Sequence, residues 1–76
     1  MKYENALREA KRLRSQGIEA ETAAHRAVVA ALANLDYKLA AESLALAAQI
    51  RGSILVWDRI IEASTAKESK TGDDLN

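Results

Sequence analysis

Ala31-Leu32-Ala33-Asn34-Leu35-Asp36-Tyr37-Lys38-Leu39-Ala40 is the stretch that decides the fold. It separates two runs of helical periodicity. Asn34 is able to take the left-handed conformation that ends a helix, and Asp36 is suited to cap the next one. Neither glycine nor proline enforces the break, so the competing reading is one unbroken helix from about residue 19 to 66. With the break, the chain folds back on itself as an antiparallel helical hairpin.

Downstream, a helix is expected over 37–65. Leu39, Leu46, Ile50, Trp57 and Ile61 advance in steps of seven, four, seven and four, the spacing of a coiled-coil-like seam. Leu44, Ala48 and Leu55 form a second, narrower stripe, and Ile54 widens the first. Upstream, a helix is expected over 19–33. Ile18, His25, Val28, Val29, Leu32 and Leu35 share one of its sides, while Ala20, Ala23, Ala24, Ala27, Ala30 and Ala31 cover much of the other. Those alanines have two readings: helix propensity alone, or a close helix–helix contact.

A further helix is expected over 2–16, where Tyr3, Ala6, Leu7, Ala10 and Leu13 recur at spacings of three and four. Gly17 reads as its stop, with Leu13 and Ile18 placed for the hydrophobic contact of a Schellman motif. The expectation is therefore an all-α domain over 1–65. It is an antiparallel hairpin built with Leu32, Val28, Leu39, Leu46, Ile50 and Trp57, or a small three-helix bundle. Residues 66–76 have almost nothing to bury and read as a disordered tail.

Composition narrows the functions. A 76-residue chain rich in alanine makes helices readily but fills only a thin core. It has no cysteine, hence no disulfide, thiolate nucleophile or sulfur ligand, and its opening residues lack the apolar core of a signal peptide. A soluble cytoplasmic protein, with no membrane partner, is the expected class. Acidic and basic residues balance at a formal charge of zero.

No phosphate-binding glycine loop, paired catalytic carboxylates or nucleophile–base pattern is present, so no enzyme activity and no cofactor are expected. His25 with Glu21 one turn before it suggests at most a proton-transfer pair or a fragment of a metal site. The plainer reading is a helix histidine with a local hydrogen bond, and no metal site is expected.

Two binding functions remain. The first is a non-enzymatic helical interaction module, an adaptor, chaperone or stoichiometric inhibitor, that binds itself or another protein. Its expected interface is Leu44, Ala48, Ile54, Leu55 and Ile61. The alternative is a small DNA-binding regulator that sets Arg8, Lys11, Arg12 and Arg14 against phosphates. Residues 13–24, Leu-Arg-Ser-Gln-Gly-Ile-Glu-Ala-Glu-Thr-Ala-Ala, resemble the helix–glycine–helix stretch of helix-turn-helix regulators. That resemblance implies that the following helix reads the DNA groove. Yet that helix offers Glu19, Glu21 and alanines, with Arg26 its sole cation.

Overall fold

The computed structural model describes the backbone of residues 2–75 and the side chains of residues 4–65. It contains two helices, α1 (Lys2–Ala33) and α2 (Tyr37–Leu75), packed against each other as an antiparallel hairpin. Among the described residues there is no third helix, because α1 continues through Gly17. The expected tail, 66–76, lies outside the residues whose side chains are described.

The turn falls where the sequence places it, with one change. Leu35, rather than Asn34, takes the left-handed conformation, at φ 58°. Asp36 N–H donates to the Ala31 carbonyl at 2.8 Å and Leu35 N–H to the Leu32 carbonyl at 3.0 Å, the paired bonds of a Schellman motif. Asp36 then starts α2: its carboxylate accepts from Leu39 N–H at 3.1 Å and its carbonyl from Ala40 N–H at 3.0 Å. Leucine in this conformation costs about 1–2 kcal/mol relative to the right-handed form. Its side chain is 70 % exposed, so little packing offsets that cost.

Small residues hold the two helices together. The buried apolar side chains are Ala10, Ala24 and Ala31 of α1 with Ala40, Ala47 and Ile54 of α2. On α1 the set 10, 17, 24, 31 recurs every seven residues as Ala, Gly, Ala, Ala. On α2 the set 40, 47, 54, 61 recurs likewise as Ala, Ala, Ile, Ile. An antiparallel register sets Ala31 against Ala40, Ala24 against Ala47, Gly17 against Ile54 and Ala10 against Ile61. The Gly17–Ile54 level is fixed by direct proximity, since a Cβ on Gly17 would lie 2.9 Å from Ile54 Cγ1.

The expected stop at Gly17 is thus corrected. No described glycine has a positive φ. This glycine serves close approach: it clears the space that Ile54, 1 % exposed, fills. The expected seam is corrected too. Leu32, Leu39 and Leu46 are exposed and Ile50 and Trp57 half-buried, because the adjacent alanine row occupies the contact.

Two mid-helix glycines should therefore respond in opposite directions to alanine. Gly52 faces open space, so Gly52→Ala should stabilise the fold by about 0.5–1 kcal/mol. Gly17→Ala gains similar propensity but overpacks the seam, and should lose about 1 kcal/mol net. Chemical denaturation monitored by circular dichroism checks both signs, and Gly17→Ala should turn stabilising in an Ile54→Ala background.

Candidate functional site

The seam divides the hairpin surface into two flanks of different chemistry. On one flank, helical spacing lines up Lys11, Arg14, Ile18, Glu21 and His25 of α1 beside Leu44, Arg51 and Asp58 of α2. Two ion pairs cross the helices there: Arg51 to Glu21, with Nε–Oε2 at 2.7 Å and a second contact through Nη2, and Arg14 to Asp58. A shallow depression lined by Lys11, Arg14, Ser15, Asp58, Ile61 and Glu62 confirms that these positions of both helices share the flank.

Glu21 is buried, at 7 % exposure, whereas the Arg51 side chain is about half exposed. Forked bonds to both carboxylate oxygens satisfy an acid that sits at the edge of an alanine seam. Among the described residues no buried side-chain nitrogen or oxygen lacks a hydrogen-bond partner.

From Leu13 to Ala31 on α1 and from Leu39 to Ile60 on α2 the other flank carries no charge; Glu9, in line with Gln16, Ala23 and Ala30, is the charge beyond that stretch. On α1, positions 6, 10, 13, 17, 20, 24, 27 and 31 read Ala, Ala, Leu, Gly, Ala, Ala, Ala, Ala. On α2, positions 39, 43, 46, 50, 53, 57 and 60 read Leu, Ser, Leu, Ile, Ser, Trp, Ile. The α1 half is a trough of small side chains and the α2 half a ridge of large ones. Leu39, Leu46 and Ile60 are exposed on that ridge, and Ile50 and Trp57 half-buried at its foot.

Comparison with protein-family models, with curated proteins and with solved structures finds no match for this chain. Its own geometry is therefore the basis for any functional reading.

The residues singled out from sequence separate on this frame. Leu44, Ala48 and Leu55 are exposed, on the flank with the ion pairs. Ile61 is half-buried, and Ile54 is inside the hairpin against Gly17, hence not on an outer surface. Of the basic cluster, Arg14 is held by Asp58 and Arg12 by Glu9, while Arg8 and Lys11 are exposed. Hydrogen bonding to Arg12 lowers the Glu9 carboxyl below its ordinary pKa. This exposed pair supports the helix above the ordinary carboxylate range and is lost as pH falls through the lowered value.

His25 and Glu21 do not form a pair: Glu21 turns into the seam and is taken by Arg51, and His25 is exposed. Among the described residues no three His, Cys, Asp or Glu side chains gather closely enough to hold a metal ion. The uncharged flank was hidden in the sequence because its large residues read as the seam. The sevenfold recurrence of Ala or Gly at 10, 17, 24 and 31 is the signal that finds it.

Removing one member of the partly buried ion pair leaves the other uncompensated. Arg51→Ala should destabilise the hairpin by about 1–3 kcal/mol, toward the lower end because the guanidinium is half exposed. The double substitution Glu21→Leu with Arg51→Met should recover most of the loss. Thermal melts of the three proteins measure the difference.

Proposed function

We propose that this chain is a soluble, cytoplasmic, non-enzymatic helical interaction module that binds a protein surface stoichiometrically through its outer apolar faces. One observation carries the reading. The described hairpin buries mostly alanine and leaves Ile18, Val29, Leu32, Leu39, Leu44, Leu46, Leu55, Val56 and Ile60 exposed. Scattered exposed leucines are ordinary, but rows of them at helical spacing mark a surface that another helix covers. The uncharged flank is the larger such surface, and the Leu44, Ala48 and Leu55 stripe is the second.

The DNA-binding alternative draws less support, since two of its four cations are already committed to carboxylates. A different second reading rests on its own observation: Tyr37–Thr65 is long and apolar enough to cross a membrane by length and composition. Against insertion stands Arg51 near the middle of that span, bonded to Glu21 of α1. A bilayer-spanning α2 would have to carry this charge into hydrocarbon, at about 2.5–3.5 kcal/mol or more.

Binding assays with surface variants test the proposal. Immobilised wild-type chain should retain a protein, a second copy or another, that Leu46→Glu or the pair Leu44→Glu and Leu55→Glu releases while keeping its helix content. Variants that bind everything the wild type binds would contradict the reading. Co-flotation of the wild type with neutral phosphatidylcholine vesicles would favour the membrane alternative.

A further inference from the structure

Resting on that reading, we infer that the uncharged flank is filled by a second copy of this chain, forming a four-helix bundle with both hairpin turns at the same end. The argument begins with shape. One flank holds a trough, at Ala20, Ala23, Ala27 and Ala30 of α1, and a ridge, at Leu39, Leu46 and Ile50 of α2. The Gly17–Ile54 register places both along the same stretch of the hairpin. Farther from the turn, Trp57 lies about level with Leu13, and Ile60 between Leu13 and Glu9.

A two-fold axis parallel to the helices, between two stacked hairpins, keeps every residue at its own height. It lays α2 of each copy over α1 of the other, so that ridge meets trough twice. This is the self-complementarity that an isologous interface requires. Turning one hairpin end for end instead stacks ridge on ridge and alanine on alanine, holding the layers apart over the trough.

Charge and area agree with a second copy. Along the trough and the ridge there is no charged position with which to select a partner of opposite sign, Glu9 lying beyond them, and a copy of itself needs none. The flank from Ala6 to Ala31 of α1 runs about 38 Å at the α-helical rise. With the 18 Å breadth of the molecule, the projected face is roughly 680 Å², within the roughly 600–1,000 Å² per partner of a standard interface. Two layers around one core also complete the minimum architecture of a stable domain, which a single helical layer lacks.

Light scattering after size exclusion, over a range of concentrations of the full chain, should give twice the 8.3 kDa chain mass. Leu46→Glu puts a charge on the ridge, and Ala27→Leu fills the trough without adding one. Each should weaken association at least about tenfold while helix content at low concentration stays that of the wild type. Arg59→Glu, on the outer side of α2, should leave the mass unchanged. Because the chain has no cysteine, Lys38→Cys takes a single spin label. Turns at one end place the two labels within about 35 Å, and turns at opposite ends about 45 Å or more apart.

A monomer at every concentration overturns the inference, and so does a dimer with the longer label distance. The broader reading fails separately, when the Leu46→Glu and Leu44→Glu, Leu55→Glu proteins retain every binding partner of the wild type.

Discussion

The close passage of Ile54 over Gly17 is the contact on which the rest of this molecule depends. Helices joined by leucine seams stand apart by the length of their side chains. Alanine and glycine let the axes come toward the short end of the usual range of about 8–10 Å. At the turn end, alanine meets alanine; farther along, Gly17 accommodates the isoleucine that its partner helix brings. Once the small row takes the contact, the large row beside it is turned outward. Leu39 stands next to Ala40, and Leu46 next to Ala47.

An alanine seam has a weakness of its own. Sliding one helix by seven residues sets alanine against alanine again, so packing alone specifies register poorly. Two features remove the ambiguity. A slide of seven residues would set Ile54 against an alanine in place of Gly17, and any slide would leave the buried Glu21 carboxylate without Arg51. The ion pair thus favours this register over its slides. The charges that bridge the helices lie on one side of the hairpin, and the other side is uncharged from Leu13 to Ala31 and from Leu39 to Ile60, with Gln16, Ser43 and Ser53 its polar positions.

Much of the hairpin was legible in the sequence, and the departures share a physical cause. The break at 34–36 and the Asp36 cap follow from local chemistry, and local chemistry determined them. Which residue turns left-handed shifted by one, to Leu35, because the two Schellman hydrogen bonds set the helix end rather than residue preference. Gly17 carries every local sign of a helix stop, yet the helix continues because Ile54 needs the space. Leu39 and Leu46 were expected at the helix contact because large apolar residues gain most from burial. Their neighbours Ala40 and Ala47 won because close approach selects for small size. Both rows repeat every seven residues, so periodicity alone does not separate them. Of the expected interface, Leu44, Ala48 and Leu55 are exposed, while Ile54 lies at the centre of the hairpin.

The central claim is that small residues form the seam and large ones face outward. It is tested most directly by nuclear Overhauser contacts in isotope-labelled protein. The account predicts strong cross-peaks between the Gly17 α-protons and the Ile54 methyl groups, with the Ala24 and Ala47 methyls also in contact. Absence of the Gly17–Ile54 contacts, with Leu39 and Leu46 methyls instead packed against Val28 and Leu32 of the same chain, would contradict it.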